Sequence, residues 1–313
     1  MRVLLINTPT LFERPISRSM AGGLGFDGGA NMVLPPLDLA YLAAYLRAGG
    51  HEVNLFDADG MAWDRATTLR KVSGWPCDAV ICAASLPTLY GDCNFLRQIR
   101  GVHGGQVYAK TNVPEHGVLR EMLERSGADG VIYGEPEASV CGIVEGRTTD
   151  NLVCVRDGAV AFGERRSVED VDDLLTPARD LLPNDRYTYP LLGQGVATVQ
   201  SSRGCPFPCG FYCPYPLVEG KKWRARSPKR VVDELEQARE SSDARHALET
   251  LAERDRQALL MKEEGLDYGE IAEVLGIEKS SVGTTLSRAR RRLAETYEAL
   301  QDERRRREQH AAS

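Results

Sequence analysis

Short apolar runs alternate with amphipathic stretches over the first 145 residues, and this alternation limits the fold more than any other feature. The apolar runs include RVLLINT, HEVNLFDAD, DAVICAAS and ADGVIYG, and between them lie stretches such as LPPLDLAYLAAYLRAGG and EHGVLREMLERSG. Strands separated by helices of about 10 to 15 residues form βαβ units and pair in parallel. The sequence therefore predicts an α/β fold with a doubly wound parallel sheet.

A long glycine-rich loop, residues 9–33, follows the first predicted strand. Sheets of this kind bind ligands at the carboxyl ends of their strands, and loops of this length are usually functional or disordered. The loop contains Gly-Gly-Leu-Gly but not the G-x-G-x-x-G fingerprint of dinucleotide-binding proteins. We therefore expect a ligand at this edge of the sheet, with little support for a dinucleotide.

The composition excludes several classes of protein. The net charge of −6 argues against a protein that coats nucleic acid, and no run of about 18 apolar residues is present to span a membrane. Five of the eight cysteines are scattered singly, which is not the pattern of a disulfide framework. Because the start of the chain also lacks a secretory signal, we expect a cytoplasmic protein with reduced thiols and no membrane partner.

The other three cysteines stand four positions apart in SSRGCPFPCGFYCPYP, residues 201–216. Prolines and a glycine between Cys205, Cys209 and Cys213 disfavour a helix, so we expect a loop to carry the thiols. Three thiolates can hold an iron–sulfur cluster and leave one iron open for a substrate or cofactor. Structural zinc needs four ligands, and the nearest histidine is His246. A zinc-holding or incomplete loop stays open as the alternative.

The segments around the cysteines predict a hairpin, a linker and one βα unit. Asp157-Gly158 joins two short apolar runs, which is a strong hairpin signal. After a polar linker, GVATVQSS is expected to form a strand that enters the cysteine loop, and SPKRVVDELEQARE the helix after it. Near residue 240 the pattern becomes helical throughout, so we place a boundary between residues 238 and 246.

The cysteine loop resembles the cluster loop of radical S-adenosylmethionine enzymes. Their usual pattern is C-x3-C-x2-C with an aromatic residue before the last cysteine, as Tyr212 is here, although this second gap has three residues. The upstream order RVLLINTP…LPPLDLAYLAAYLRAGGHEVNLFDAD…ADGVIYGEPE resembles the cobalamin-binding domain of one large subfamily. The D-x-H-x-x-G signature, which supplies a lower histidine ligand to cobalt, is absent. This agrees with members of the subfamily that bind cobalamin without a protein histidine. The alternative is a flavodoxin-like sheet without cobalamin.

The resemblance implies two cofactors and a cosubstrate. Cys205, Cys209 and Cys213 would hold a [4Fe-4S] cluster, whose open iron would bind the amino and carboxylate groups of S-adenosylmethionine. Cobalamin above the sheet edge would deliver a methyl group to an acceptor that the sequence does not identify, and no catalytic residue is assigned. The candidate cobalamin-binding residues lie at or just after the ends of predicted strands or at the start of the first predicted helix: Thr8, Pro9, Pro35, Ser85, Leu86, Tyr133, Gly134 and Glu135.

The radical module of such enzymes needs about six βα units of roughly 30 residues each. Between Cys213 and the helical C-terminal part there is room for the remainder of one unit. The parts that grip S-adenosylmethionine on later strands of the barrel have no counterpart here. We therefore expect a truncated barrel and incomplete catalysis by this chain alone.

The stretch DYGEIAEVLGIEKSSVGTTLSR, residues 267–288, predicts a helix-turn-helix unit. Ala272, Gly276 and Val282 occupy the positions of its small residue, its turn former and its core apolar residue. The second helix is expected to read DNA, and a helical hairpin or oligomerisation module is the alternative. The candidate DNA-binding residues are Lys279, Ser280, Ser281, Thr284, Thr285, Arg288, Arg290 and Arg291.

Residues 245 to 300 as a whole resemble region four of extracytoplasmic-function sigma factors. This resemblance implies binding to a −35-like promoter element and to the flap of the RNA polymerase β-subunit. Region two, which binds core polymerase and melts the −10 element, has no counterpart in the sequence. We therefore expect the module to bind promoter DNA without acting as a complete sigma factor.

The sequence thus predicts a cobalamin-binding-like domain (1–145), a hairpin and linker (146–198), the first βα unit of a radical module (199–240), a sigma region-four unit (245–300) and a charged tail (301–313). Three functions stay open. The chain is an incomplete radical methyltransferase fused to a DNA-binding module, a transcription regulator that responds to cobalamin or to the cluster, or a non-catalytic interaction module.

Overall fold

The computed structural model describes residues 1–10, 15–20, 25–27, 29, 32–207, 209 and 213–311. These residues divide into two compact units, Met1–Leu235 and Glu236–Ser313, the last two residues of the chain lying outside the description. The first unit is an α/β unit and the second is helical. Each unit is described by itself below.

A seven-stranded sheet forms the centre of the described part of the first unit. The strand order is β4-β1-β5-β6-β7-β8-β9, parallel from β4 to β7, with β8 and β9 added as an antiparallel hairpin. The predicted parallel sheet and the Asp157-Gly158 hairpin are therefore confirmed. The strands are β1 (Arg2–Asn7), β2 (Ile16–Ser17), β3 (Phe26–Asp27), β4 (Glu52–Asp57), β5 (Ala79–Ala83), β6 (Gln106–Thr111), β7 (Gly130–Tyr133), β8 (Leu152–Arg156) and β9 (Ala159–Phe162).

Helices cover both faces of this sheet because its central strands are apolar on both sides. Along β1, Val3 and Leu5 belong to one buried core, whereas Leu4 and Ile6 belong to the other, as the pleat of a strand requires. The first core packs on α1 and α5, and the second packs on α2, α3 and α4. The helices are α1 (Leu37–Ala48), α2 (Arg65–Ser73), α3 (Leu89–Val102), α4 (His116–Ser126) and α5 (Val140–Val144).

Local signals begin and end these helices. The side chain of Asp64 accepts a hydrogen bond from the Thr67 N–H and caps α2, and Glu115 caps α4 through the Val118 N–H. Helix α4 ends at Gly127, whose φ of 66° is the left-handed conformation that favours glycine. Each parallel strand is thereby returned to the same end of the sheet, and the carboxyl ends of β1, β5, β6 and β7 meet at one edge.

The segment between β9 and residue 200 is packed against the sheet and is not an open linker. Val171, Leu174 and Leu182 are buried, and three 3-10 turns follow one another at Val171–Asp173, Arg179–Leu181 and Asn184–Arg186. Tyr187 is fully buried and donates a hydrogen bond of 2.7 Å to Oδ2 of Asp57 at the end of β4. This contact anchors the segment at the edge of the sheet.

The prediction of a strand over 195–202 was wrong. The structure assigns a strand only to β12 (Ser202–Arg203), which pairs antiparallel with β13 (Arg224–Ala225), and a second short hairpin joins β10 (Thr188–Tyr189) to β11 (Gly193–Gln194). An apolar run forms a long parallel strand only where neighbouring strands accept its hydrogen bonds. Among the described residues, β12 pairs with β13 alone, so the run before it stays irregular.

The second unit is a small helical bundle. The first unit contains one more helix, α6 (Tyr215–Val218), and the division between the two units falls within α7 (Pro228–Glu249). The helices that follow are α8 (Glu253–Glu263), α9 (Tyr268–Leu275) and α10 (Lys279–Ala311). Its core contains Ala258, Ile271, Val282 and Leu286. Asp267 and Glu270 form a capping box at the start of α9, and the helix ends at Gly276 with a φ of 61°.

Tyr187→Phe should destabilise the first unit by about 1–3 kcal/mol, because it leaves a buried carboxylate oxygen of Asp57 without its hydroxyl donor. Urea-induced unfolding can be followed by tryptophan fluorescence, since Trp63, Trp75 and Trp223 all lie in this unit. Tyr189→Phe is the matched control, because Tyr189 is 36% exposed and its substitution should change the free energy of unfolding little. Equal stability of the two variants would show that the Asp57 contact does not anchor the segment.

Candidate functional site

A cavity of about 400 Å³ lies at the sheet edge where the carboxyl ends of β6 and β7 meet. Parallel α/β sheets place their ligands at this edge. The start of α1, the residues after β7 and the residues on both sides of the cysteine segment all contribute to its walls. Lining residues used below are Pro35, Asp38, Tyr41, Lys110, Glu135, Glu137, Arg203 and Glu219.

Two buried arginines flank the cysteine segment and bind the loop after β7. Arg203 Nη2 lies 2.5 Å from Glu137 Oε1, and Arg224 forms a bidentate pair with Glu135 at 2.6 and 2.8 Å. All four side chains are less than a tenth exposed. We call these two pairs the arginine clamp. Because Arg203 and Arg224 belong to β12 and β13, the clamp holds both ends of the cysteine segment beside the cavity.

Electrostatics keep the clamp charged despite its burial. Burial by itself lowers the pKa of Arg203, but the carboxylates of Glu137 and Glu135 outweigh it and raise that pKa. Burial raises the pKa of Glu135, whereas the hydrogen bond from Arg224 and the charge of Arg203 bring it below its ordinary value. Removing one partner of such a buried pair leaves an uncompensated charge and typically costs several kcal/mol. We therefore expect the loss of any one of the four side chains to destabilise the clamp.

Glycine is required directly before the first cysteine of the segment. Gly204 has a φ of 83°, and a Cβ atom there would lie 2.0 Å from the carbonyl oxygen of Lys222. The next residue, Cys205, donates its N–H to the carbonyl of Gly220 at 3.0 Å. The two ends of the cysteine segment thus approach each other as closely as backbones allow, which explains the order Arg203, Gly204, Cys205.

The three cysteines of the segment are half-buried free thiols. The N–H of Cys213 donates to the carbonyl of Cys209 at 3.2 Å, so the backbones of these two cysteines are close despite the three-residue gap between them. Tyr212, which carries part of the resemblance, lies outside the described residues.

As a donor set, three thiolates on one loop fit an iron–sulfur cluster. Among the described residues, however, no group of three or more His, Cys, Asp or Glu side chains is gathered closely enough to hold a metal ion. Cys77 and Cys93 are poor ligands or nucleophiles, because burial raises the pKa of Cys77 to about 11 and of Cys93 to about 12. The segment with Cys205, Cys209 and Cys213 thus stays the candidate cluster site.

The structure brings three of the candidate cobalamin-binding residues together on the cavity wall, namely Pro35, Gly134 and Glu135. The others lie at the same edge, mostly buried and held by contacts within the protein. Leu86 is 46% exposed and Pro9 is buried. The internal hydrogen bonds are Thr8 Oγ1 to the Ala83 carbonyl at 2.7 Å, Ser85 Oγ to Thr88 Oγ1 at 2.8 Å and Tyr133 OH to the Gly163 carbonyl at 2.7 Å.

Several residues of the site were missed by sequence reasoning. Glu137 and Arg203 stand inside the quoted stretches ADGVIYGEPE and SSRGCPFPCGFYCPYP, and Lys110 is the next-to-last residue of β6. A charged residue near the end of a buried strand is a usable signal, since burial demands a partner for it. The partner itself is not visible in the sequence, because Arg203 and Glu137 are separated by 66 positions.

The second unit presents a helix-turn-helix in which α10 is the second helix. Most of the candidate DNA-binding residues are exposed on its first turns: Lys279, Ser280, Ser281, Thr284, Arg288, Arg290 and Arg291. Thr285 is only 6% exposed, and it directly precedes the core residue Leu286 in the sequence. The Thr285 side chain is therefore largely buried, and fewer of the candidate DNA-binding residues are exposed on α10 than the sequence predicts.

Arg288 also has a structural role. Its Nη2 lies 2.8 Å from Oδ1 of Asp255, and Arg292 Nη1 lies 3.0 Å from Oδ2 of the same carboxylate. The Asp255 side chain is only 2% exposed, and the hydrogen bond from Arg288 lowers its pKa. This ion pair fastens α8 to α10 and so fixes the helix that carries the exposed basic residues.

Comparison with known proteins finds a resemblance for each part of the chain. Residues 242–293 match the family model described as sigma-70, region 4. The second unit resembles sigma-70 region 4, and the N-terminal region resembles cobalamin-type radical S-adenosylmethionine enzymes. Both resemblances that the sequence predicts are thereby confirmed.

Two curated relatives match the N-terminal region. An anaerobic magnesium-protoporphyrin IX monomethyl ester cyclase from Rubrivivax gelatinosus is 29% identical over 236 residues, covering 67% of this chain and 40% of the relative. An uncharacterized methyltransferase from Pyrococcus horikoshii is 31% identical over 247 residues, covering 75% of this chain and 50% of the relative. The chain thus spans half or less of the length of these relatives.

Among solved structures, the radical S-adenosylmethionine methyltransferase TsrM from Kitasatospora setae, with cobalamin and a [4Fe-4S] cluster bound, superposes with a TM-score of 0.52. The identity is 17%, and the match covers 78% of this chain and 46% of that one. At this identity the likeness concerns the fold.

Within the part of the chain that the structure describes, no helix is long and apolar enough to cross a membrane.

Asp255→Asn should lower the stability of the second unit by about 1 kcal/mol at pH 7, since it removes the charge that pairs with two half-exposed arginines. The folded-state pKa of Asp255 is lowered, so its contribution is complete above the ordinary aspartate pKa of about 3.9 and disappears as the pH falls through the lowered value. Circular-dichroism melts of the full chain should therefore show a difference in stability between the native protein and Asp255→Asn at pH 7, and this difference should shrink below about pH 4. Glu273→Gln, an exposed acid on α9, is the control; a pH-independent difference would contradict the ion pair.

Proposed function

We propose that the first unit binds cobalamin and an iron–sulfur cluster at its sheet edge, and that the second unit binds promoter DNA. In this proposal the chain has radical S-adenosylmethionine methyltransferase ancestry and carries a region-four DNA-binding module. The observation that carries the proposal is the arginine clamp. Arg203 and Arg224 hold the segment with the three cysteines beside the cavity formed at the ends of β6 and β7.

The proposed cluster site uses Cys205, Cys209 and Cys213 as its thiolate ligands. A cluster held by three thiolates supplies one open iron for a small molecule, which is the chemistry that the resemblance implies for S-adenosylmethionine. The chain's own contribution is positioning, because Gly204 admits the close backbone contact and the clamp fixes both ends of the segment. The cobalamin-facing residues in this proposal are Pro35, Gly134 and Glu135.

We also propose that this chain does not transfer methyl groups by itself. Between Cys213 and the second unit, the described residues form the short helix α6, the two-residue strand β13 and the beginning of α7. A radical module encloses its reactants with several more βα units, which exclude water from reactive intermediates. The first unit would therefore bind the cofactors without enclosing a methyl acceptor.

A second candidate function is regulation of transcription by cobalamin or by the cluster. The match of 242–293 to sigma-70 region 4 and the exposed polar and basic residues at the start of α10 favour it. In helix-turn-helix proteins the first turns of the second helix contact base edges, and nearby arginines contact phosphates. The partners would be promoter DNA with a −35-like element and RNA polymerase.

Anaerobic reconstitution with iron and sulfide should give a brown protein with about four iron and four sulfide per chain. Cys205→Ala, Cys209→Ala and Cys213→Ala should each lose most of the visible absorption, and Gly204→Ala should reduce loading because its Cβ would collide with the Lys222 carbonyl. The measurements are iron and sulfide content with the visible spectrum and electron paramagnetic resonance.

Cys154→Ala is the matched control, since Cys154 is a half-buried thiol on β8 away from the segment. It should load as the native protein does. A colourless protein that binds one zinc per chain through the same three cysteines would contradict the cluster proposal. Equal loading of the native protein and the three cysteine variants would contradict it as well.

Arg290→Ala should weaken DNA binding about equally for a duplex selected from a random pool and for its scrambled version, and should reduce the salt dependence by about one counterion. Ser281→Ala should instead reduce the difference in Kd between the selected and the scrambled duplex. Ser281 is exposed at the start of α10, the part of the helix proposed to contact base edges. Fluorescence anisotropy of the full chain measures both effects. Arg156→Ala, an exposed arginine on β8, is the control.

The same assay tests the regulator. If cobalamin governs promoter binding, saturating cobalamin should change the Kd for the selected duplex several-fold by linkage. An unchanged Kd, with cobalamin binding demonstrated separately, would exclude regulation by cobalamin. Native protein that binds selected and scrambled duplexes equally well would contradict promoter recognition altogether.

A further inference from the structure

Two buried arginines next to the cavity wall share a single carboxylate. Arg179 Nη2 lies 2.6 Å from Glu234 Oε1, and Arg226 Nη1 binds the other oxygen of the same group. All three side chains are less than a tenth exposed, and all three belong to the first unit. We call these three residues the shared ion pair. Glu234 thus compensates two guanidinium groups at once.

The two arginines of the shared ion pair also hold the backbone of one cavity wall. Arg179 Nη2 donates to the carbonyl of Thr198 at 2.6 Å, and Arg226 Nη1 donates to the carbonyl of Gln200 at 3.2 Å. Thr198 and Gln200 line the cavity, and the chain between them belongs to no strand. Buried carbonyl groups need donors, and side chains supply here what a neighbouring strand would supply in a sheet.

This stretch of wall leads directly into the cysteine segment. The backbone N–H of Arg226 donates to the carbonyl of Ser201 at 2.9 Å, and Nε of Arg203 donates to Oε1 of Gln200 at 2.8 Å. Arg203 is itself a member of the arginine clamp, and Cys205 follows it by two positions. The position of the wall therefore sets the point at which the cysteine segment begins.

Both supports of the shared ion pair are fixed to the rest of the unit. The N–H of Ala178, the residue before the first arginine, donates to the carbonyl of Ala40 on α1 at 3.0 Å. Glu234 lies on α7, and Arg230 on the same helix donates through Nη2 to the carbonyl of Leu174 at 2.9 Å. Glu234 thus links two anchored parts of the chain to a wall that has no strand of its own.

We propose that Glu234 is a positioning residue for the proposed cluster site, acting through Arg179 and Arg226 on the wall at 198–201. Without its charge two buried guanidinium groups would be uncompensated, which is costly enough to move them out of the interior and away from the carbonyls they hold. Residues that orient metal ligands without touching the metal typically change metal affinity by about 10- to 100-fold. The inference rests on the proposed function, because it concerns the cluster site of that proposal.

Hydrogen exchange of the full chain without iron, followed by mass spectrometry, tests whether Glu234 positions the segment. Glu234→Gln should raise exchange at least about tenfold in peptides that contain the N–H of Cys205 or of Arg226, which are bonded to Gly220 and Ser201. Exchange in β5 should stay as in the native protein. A rise spread over the whole unit, as expected for a merely structural role, or no rise in these peptides would overturn the proposal.

Cluster retention tests whether this positioning matters for the metal site. After anaerobic reconstitution, Glu234→Gln should lose its iron to EDTA at least about tenfold faster than the native protein, measured by the decay of visible absorption. Glu234→Asp keeps the charge and should restore most of the native rate. Glu236→Gln, an exposed acid on the same helix, is the matched control and should behave as the native protein does. Native-like iron loss from Glu234→Gln would overturn the proposal.

Arg179→Gln is the milder variant if circular dichroism shows that Glu234→Gln does not fold. It keeps the pair between Arg226 and Glu234 and removes the guanidinium that holds the Thr198 carbonyl, so exchange should rise in the same peptides by a smaller factor. Unchanged exchange would overturn the proposal. Native protein that binds no cluster would instead contradict the proposed function, and the exchange experiment, which needs no iron, would still decide whether Glu234 positions the segment.

Discussion

The first unit depends on a pair of buried salt bridges that joins two distant parts of the chain. Arg203 and Arg224 lie on a two-stranded hairpin that is too short to be stable alone, and Glu137 and Glu135 lie in the loop after β7. With both ends of the cysteine segment fastened to the sheet edge, the segment needs no long strand of its own.

The clamp also shapes the electrostatics of the cavity. Glu137 binds Arg203 through one oxygen, while both oxygens of Glu135 bind Arg224 and one of them also lies 3.5 Å from Arg203. On the same wall, burial raises the pKa of Glu219, and the charges of Arg203, Lys110 and Arg224 oppose this rise only in part. In the second unit, Arg288 pairs with the buried carboxylate of Asp255, although its own side chain remains 42% exposed.

Much of the fold was predictable because its signals are local. The alternation of strands and helices, the Asp157-Gly158 turn and the small-residue pattern around Gly276 each depend on neighbours within a few residues. The strand expected over 195–202 failed for the opposite reason, since a strand exists only through distant partners. Thr285 shows the same limit, because its burial depends on how α10 packs against α8 and α9.

The sequence by itself determined the parallel sheet, the cysteine segment and the helix-turn-helix, since periodicity, spacing and turn residues are short-range properties of a chain. Only the tertiary structure decided that Arg203 meets Glu137 and that Arg224 meets Glu135, across 66 and 89 positions. The physical reason is that charge compensation in a buried site is set by proximity in space, and proximity between distant residues is created only when the sheet has formed.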